Sequence, residues 1–207
     1  MTTYWIEKNG FTLDYETPVL GPPWEVPFEF PIYQTIVAKI SSMGFSLELA
    51  GRLVSFIFYI SLILPIYRIA KFMPVSKNWF FIASSIYLFS PLYLFWGRSF
   101  MIESTALFFA MTHAVFLLDY IKLKKSKYLI FSIFMGILGI LTKATTLPPF
   151  TVAVILYQTM FLFAQKKSIL KSIDKSFILI VFTIILPYAI GLSWVDYSDE
   201  IKKMNPF

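Results

Sequence analysis

Four ionisable residues stand beside long apolar runs, where a charge is costly unless it has a partner. They are Arg52, Arg98, Glu103 and Lys143. Arg and Lys both bind phosphate, Arg through a planar fork of donors and Lys as a point charge. If these cations meet at one face of the protein, they suit an anionic ligand such as phosphate. Mutual salt bridges, such as Arg98 with Glu103, would equally offset the charges, and so would contact of the cations with phospholipid headgroups.

Glu29 is a carboxylate in unusual surroundings. It lies with Glu25 in a stretch rich in proline and aromatic residues. A carboxylate in the wall of an active site can act as a general base. The same composition also suits a belt of aromatic residues at a membrane interface, with the acids in water. Both interpretations place Glu29 at a membrane face.

Several other kinds of site are not indicated by the sequence. The chain has no Cys, which excludes disulfides and thiolate metal sites. It has no glycine-rich phosphate loop, metal-ligand motif or nucleophile elbow. We therefore expect no metal site and no cofactor, although a divalent cation is left open. His113 lies in the middle of an apolar run, where we predict a hydrogen bond between helices rather than a ligand contact.

The composition indicates a membrane protein. Hydrophobic residues make up 57% of the 207 residues and charged residues only 14%, whereas soluble domains carry roughly 25% charge. A soluble fold of this size could not hide so much apolar surface, so lipid must cover part of it. The net charge of +6 comes from basic residues between the apolar runs. That placement is typical of loops facing anionic lipid, so we expect membrane lipid and not nucleic acid as a partner.

The fold class that follows is an all-α membrane protein with about six transmembrane helices. The apolar runs are Leu53–Phe72, Trp79–Trp96, Phe100–Tyr120, Tyr128–Leu141, Leu147–Ala164 and Phe177–Trp194. Lysine-rich loops follow the first, third and fifth runs. The positive-inside rule makes these loops cytoplasmic. The four ionisable residues and residues 1–51 would then lie outside a plasma or inner cell membrane.

The chain divides into three parts on this prediction. Residues 1–51 form a large first outer loop, 52–195 form the transmembrane bundle, and 196–207 begin another outer segment. Apolar residues at helical spacing predict an amphipathic juxtamembrane helix at Ile32–Met43. Residues 1–51 contain no signal peptide. We therefore expect a further span upstream that carries them across the membrane, so that the chain is an N-proximal fragment.

Several motifs resemble the polytopic glycosyltransferases of the GT-C superfamily that use lipid-linked sugars. The resemblance is to the protein-mannosyltransferase and aminoarabinose-transferase type (family 39-like), and it follows the same order along nearly the whole chain. The stretches that carry it are Glu29–Gln34, Gly51–Leu53, Ser90–Leu92, Gly97–Glu103, Leu141–Lys143 and Asp196–Glu200.

This resemblance implies an inverting transferase that moves a sugar from a polyprenyl phosphate to an acceptor at the outer face. It implies that Glu29 is a candidate base, that Arg52, Arg98 and Lys143 bind the phosphate, and that Glu103 orients Arg98. In the family the main catalytic carboxylate lies just after the first span. The resemblance therefore implies that this base is upstream of the chain and that the chain alone is inactive.

A small multi-pass transporter or channel subunit is an alternative function, and a non-catalytic membrane scaffold is another. A transporter is expected to carry polar residues or broken helices at mid-membrane depth. Here the four ionisable residues beside the apolar runs concentrate at one predicted face, and only His113 lies clearly deep in a predicted span. This pattern favours a site at the membrane face over a path through the membrane.

Overall fold

The computed structural model describes residues 2–15, 17, 27–72, 78–164 and 175–204, without the side chains of 162–164 and 175. The secondary structure in these ranges is helical throughout. The helices are α1 (Thr2–Asn9), α2 (Ile32–Ser41), α3 (Leu47–Ser61), α4 (Ile63–Phe72), α5 (Asn78–Phe89), α6 (Pro91–Arg98), α7 (Glu103–Leu123), α8 (Lys127–Thr142), α9 (Leu147–Ala164) and α10 (Lys175–Met204). A short 3-10 turn at Ala144–Thr146 joins α8 to α9. The expectation of an all-helical chain is confirmed for these residues.

The helices run back and forth between two ends of a bundle. Helix α7 is central: it packs against α3, α4, α8 and α9, and its 21 residues reach across roughly 30 Å. We call the end where α7 ends and α8 and α10 begin the lysine end. We call the other end, where α3, α7 and α9 begin and α6 and α8 end, the strap end. Arg52, Arg98, Glu103 and Lys143 all lie at the strap end.

Three helical segments are long and apolar enough to cross a membrane, Leu47–Phe72, Glu103–Leu123 and Ser176–Met204. Helices α5 and α6 make a fourth if they form one span bent by 62°. Each of the predicted apolar runs is helical, but within the described residues only three or four of the about six predicted spans meet this test. Pro91 explains one difference, because it stands at the first turn of α6 and starts a new helix there. Helix α8 has 16 residues and is short for a span.

Two boundaries differ from the predicted ones. The apolar pattern predicts the third run from Phe100, but α7 begins at Glu103 because Ser55 holds the link before it. The Ser55 Oγ donates to Met101 O (2.9 Å) and accepts from Met101 N (3.4 Å). At the other terminus α10 continues past Trp194 to Met204.

Helix α2 covers most of the predicted Ile32–Met43 helix but ends at Ser41. Gly44 follows with φ +104°, a conformation that favours glycine and turns the chain. Tyr33 and Val37 of α2 are buried against Ala50 and Val54 of α3. Part of the apolar face of α2 is therefore covered by protein, and its position on a membrane surface stays a prediction.

His113 makes the predicted contact between helices. Its Nδ1 lies 2.8 Å from the Ser132 carbonyl oxygen of α8, and its side chain is fully buried. Gly136 makes room for the ring, because a Cβ at that position would lie 2.8 Å from Nδ1. The close approach of α7 and α8 thus depends on a glycine.

Candidate functional site

Residues 27–31, which we call the strap, are held across the strap end by hydrogen bonds from distant parts of the chain. The Tyr15 hydroxyl donates to Glu29 O (2.6 Å) and accepts from Phe28 N (3.0 Å). From α10, Trp194 Nε1 donates to Phe28 O (3.2 Å) and Ser198 Oγ donates to Pro27 O (2.5 Å). These bonds supply partners for the backbone groups of the strap, which are buried or partly buried. They fix the backbone of Glu29, whose side chain is half-buried.

Tyr33 joins the strap to the start of α3. Its hydroxyl donates to Gly51 O (2.9 Å) and lies 2.8 Å from Ser55 Oγ. Burial raises the pKa of Tyr33 to about 12; the hydrogen bond to Ser55 lowers the pKa and the charge of Glu103 raises it. Tyr33 is therefore a neutral hydrogen-bonding group at physiological pH, and it lies within electrostatic reach of Glu103.

Glu103 and Lys143 form an ion pair, with Oε1 and Nζ 2.9 Å apart. The Glu103 side chain is 17% exposed and that of Lys143 34%. The second carboxylate oxygen, Glu103 Oε2, is buried and has no hydrogen-bond partner among the described residues. The strap is close by, since Phe30 N donates to Leu141 O (3.2 Å) two residues before Lys143.

This pairing corrects the expectation that Glu103 orients Arg98. The physical reason is the path of residues 99–102 between α6 and α7, because Ser55 holds Met101 against α3. Helix α6 packs closely on α3 because Gly97 has no Cβ, which would lie 2.5 Å from the Tyr59 ring. Arg98 therefore faces the start of α3, and within the described part of the chain it forms no ion pair.

Arg52 and Arg98 line one cavity of about 540 Å³, which we call the arginine cavity. Ser99 and Glu48 also line it, together with apolar residues of α6 and Phe100. Arg52 pairs with Glu48 at 2.5 Å, but both side chains are exposed. An exposed pair of this kind is worth about 0–1 kcal/mol, so it yields readily to a stronger anion. A phosphate in this cavity would meet two guanidinium groups, which bind phosphate bidentately.

The structure therefore brings the predicted site residues to one end of the bundle but in two groups. Arg52 and Arg98 share the arginine cavity, and neither Lys143 nor Glu29 is among the described residues that line it. Glu103 and Lys143 form the second group, next to the strap that carries Glu29. Residues 99–102 lie between the two groups.

A second cavity at this end, of about 320 Å³, has a mostly polar lining, and we call it the polar cavity. Its lining residues are Thr2, Thr3, Tyr33, Gln34, Phe100 and Ile102. The Oε1 atom of Gln34 is buried without a hydrogen-bond partner in the described ranges. Sequence reasoning did not single out Gln34 and Phe100. Both lie inside motifs that carried the family resemblance, but neither has the charge that drew attention to its neighbours.

Phe100 lines both cavities, so the arginine cavity and the polar cavity are neighbours. Its ring lies directly on Gly51, where a Cβ would be 2.4 Å from the ring. Phe100 also contacts the Tyr33 ring, with centroids 5.9 Å apart. The position of this ring is thus set by Gly51 and Tyr33 together.

Comparison with known proteins identifies a family. A family model described as dolichyl-phosphate-mannose-protein mannosyltransferase matches residues 25–192. This range runs from just before the strap into α10 and contains Glu29, Arg52, Arg98, Glu103 and Lys143. No curated protein and no solved structure matches the chain.

Proposed function

Because the chain belongs to the dolichyl-phosphate-mannose-protein mannosyltransferase family, we propose that it is part of an integral membrane glycosyltransferase acting at the outer membrane face. The donor in this proposal is a polyprenyl-phosphate-linked sugar and the acceptor is a hydroxyl group. The family membership and the apolar helices make the chain a membrane protein of glycosyltransferase type. The arginine cavity is the observation on which the donor assignment rests.

The arginine cavity supports a phosphate site in two ways. Arg98 has no carboxylate partner among the described residues, and the Glu48 partner of Arg52 is exposed and weakly held. Both arginines are exposed where they line the cavity, so an anion can reach their guanidinium groups. The phosphate of a lipid carrier supplies that anion while its tail stays in the lipid.

The reaction then proceeds by displacement at the sugar. A carboxylate removes the proton from the acceptor hydroxyl, the acceptor oxygen forms a bond to the anomeric carbon, and the bond from that carbon to the phosphate oxygen breaks. The phosphate leaves with both electrons of that bond, and Arg52 and Arg98 stabilise its charge. Glu29 is the candidate base within the strap, and the Glu103–Lys143 pair lies beside it.

An apolar cavity of about 510 Å³ supports a lipid-linked substrate. It lies between α4, α5, α6 and α7, and its lining includes Ile66, Ile86, Tyr93 and Met111. Tyr93 precedes Leu94 and Phe95 of the arginine cavity on the same helix. Helix α6 thus contributes to both a charged cavity and an apolar one, as a substrate with a charged head and an apolar tail requires.

The bent pair α5 and α6 is the feature that would favour a transporter, since broken helices often form transport sites. Residues 78–97 contain no Asp, Glu, Lys, Arg or His, however. A break without ionisable residues offers an ion or a polar solute little to bind. The apolar lining next to this break instead favours contact with a lipid chain.

Replacing Arg98 in the full-length protein tests the proposal. Vesicles containing the protein are supplied with radiolabelled polyprenyl-phosphate mannose, and transfer and donor hydrolysis are both measured. Arg98→Ala should reduce turnover by roughly 10²- to 10³-fold, the range found when one preorganised donor to a developing anion is removed. Arg98→Lys should recover only part of the loss, because Lys lacks the bidentate fork.

Arg68→Ala is the control, because Arg68 pairs with Asp119 at the opposite end of α7. It should leave turnover within about twofold of the unmodified protein. Near-normal turnover of Arg98→Ala would remove the arginine cavity from the mechanism. An equal loss in both variants would indicate a general defect of folding instead of a site.

A further inference from the structure

The polar cavity is not used by the phosphate chemistry described above. None of its described lining residues is charged, and it shares Phe100 with the arginine cavity but is lined by neither arginine. Its volume of about 320 Å³ is at the lower end of the range for small-ligand sites. Its lining combines hydroxyl and amide groups with an aromatic ring.

Gln34 is the residue that points to a ligand. A buried side-chain oxygen without a partner costs about 1–3 kcal/mol, and native structures contain few such groups. Gln34 Oε1 is in that condition among the described residues, and Gln34 lines the cavity, so a turn of its amide toward the cavity would let a ligand satisfy this oxygen. Because a side-chain amide carries both an acceptor and donors, it suits a ligand hydroxyl, which also has both.

We propose that the polar cavity holds the sugar ring of the lipid-linked donor, and that Gln34 is a binding residue that selects for its hydroxyl groups. This inference rests on the proposed function, because it takes the phosphate site to be the arginine cavity. In a lipid-linked monosaccharide the anomeric carbon is bonded directly to a phosphate oxygen. The sugar site must therefore adjoin the phosphate site. The two cavities meet this requirement because both are lined by Phe100.

The chemistry of the two cavities matches the two parts of such a donor. The arginine cavity offers charge to the phosphate, and the polar cavity offers neutral hydroxyl and amide groups to a neutral ring. Phe100 presents an apolar surface to both cavities, and Gly51 and Tyr33 hold its ring in place. The bond between the anomeric carbon and the phosphate oxygen would lie at the edge of the Phe100 ring.

Binding measurements can separate the sugar contribution from the phosphate contribution. The full-length protein in nanodiscs is titrated with a sugar-free polyprenyl phosphate, made as the methyl diester so that its charge equals that of the donors, and with polyprenyl phosphates carrying mannose, glucose or arabinose. At least one sugar-bearing donor should bind more tightly than the sugar-free polyprenyl phosphate. Gln34→Leu should weaken the binding of that donor by about 3- to 10-fold, as expected for the loss of one hydrogen bond. The affinity for sugar-free polyprenyl phosphate should stay unchanged.

Gln158→Leu is a matched control, because Gln158 Oε1 is also buried without a partner among the described residues but lies in α9, away from both cavities. It should change none of the affinities. If Gln34→Leu leaves the preference for the sugar-bearing donor intact, or if no sugar adds affinity, the sugar site is refuted while the phosphate site stands. If sugar-free polyprenyl phosphate does not bind, or binds equally well to Arg98→Ala, the phosphate site is refuted, and the proposed function with it.

Discussion

The two ends of the bundle hold their charges in different ways. At the lysine end, cations lie over aromatic rings, as in Lys71 over Tyr67 (4.2 Å) and Lys124 over Tyr120 (5.5 Å). These partners are four residues apart in sequence, so their side chains meet without help from the fold, although Arg68 at the same end pairs with Asp119 of another helix. At the strap end, Lys143 pairs with Glu103, and Trp194 bonds the strap carbonyl of Phe28 from another helix. These two contacts join parts of the chain that are distant in sequence, whereas Arg52 and Glu48 at the same end are four residues apart.

We infer from this difference that the charges over aromatic rings serve no site, whereas the charges paired across helices at the strap end belong to one. A cation over a neighbouring ring at an exposed position gains only about 0.5–1 kcal/mol and needs no exact position. A cation paired across helices with a carboxylate 17% exposed is fixed by the surrounding backbone. We therefore expect the lysine end to tolerate substitution and the strap end to lose activity.

Two ion pairs provide the sharpest test of this comparison. Glu103–Lys143 and Arg68–Asp119 have similar distances, 2.9 and 2.8 Å, and similarly covered carboxylates, 17% and 14% exposed. Lys143→Gln and Arg68→Gln should therefore each lower the free energy of unfolding by about 1–2 kcal/mol, because each leaves a carboxylate without its cation. Only Lys143→Gln should also lower transfer, by about 10-fold or more.

Thermal unfolding in detergent and transfer in vesicles measure the two effects on the same preparations. Equal losses of transfer in both variants would show that the ends do not differ in function. Normal transfer by Lys143→Gln would leave the Glu103–Lys143 pair as a structural contact only.

Sequence patterns predicted the helical character of each apolar run and the clustering of Arg52, Arg98, Glu103 and Lys143 at one end. Both depend on local features, namely apolar length and the alternation of charged and uncharged loops. The partners within the cluster could not be predicted in this way. Glu103 pairs with Lys143 and not with Arg98 because Ser55 holds Met101 against α3, a contact over 46 residues.

The polar cavity was missed for a related reason. Its lining residues come from α1, α2 and residues 100–102, and no periodic pattern connects them. Gln34 is unremarkable in a sequence, and its buried oxygen without a partner becomes visible only in three dimensions. Neutral binding groups leave a weaker trace in sequence than charges beside apolar runs.

The two ends of the bundle can also be compared through the hydroxyl groups of two tyrosines, Tyr33 and Tyr120. Tyr33→Phe removes the hydrogen bonds to Gly51 O and Ser55 and should cost about 1–2 kcal/mol of stability. Tyr120→Phe at the lysine end loses only a 3.2 Å contact with Ser176 and should cost less than about 0.5 kcal/mol. Thermal unfolding of the two variants measures this difference, and a larger loss for Tyr120→Phe would contradict it.

The pH dependence of the stability of Tyr33→Phe, compared with that of the unmodified protein, tests the burial of Tyr33. An unfolded tyrosine ionises near 10.0, whereas burial raises the pKa of Tyr33 to about 12. The unfolded chain therefore releases this proton first as the pH rises. The stabilisation from the neutral phenol is complete below pH 10 and is lost between 10 and 12. The stability difference between the unmodified protein and Tyr33→Phe should shrink across that interval, and a constant difference would show that Tyr33 is not buried.

The smallest expected effect tests whether the lysine end depends on backbone shape more than on its charges. Lys124 follows α7 in the left-handed conformation, with φ 54° and ψ 27°. This conformation costs a residue with a Cβ roughly 1–2 kcal/mol, and glycine relieves it at some cost in entropy.

Both Lys124→Gly and Lys124→Ala lose the contacts with Ser176 and the Tyr120 ring, so the difference in stability between the two variants isolates the effect of the backbone. We expect Lys124→Gly to be more stable than Lys124→Ala by about 0.5–1 kcal/mol in thermal unfolding, with transfer unchanged in both. Equal stabilities would mean that the left-handed residue carries no strain. Lost transfer in either variant would mean that the lysine end, too, belongs to the functional part of the molecule.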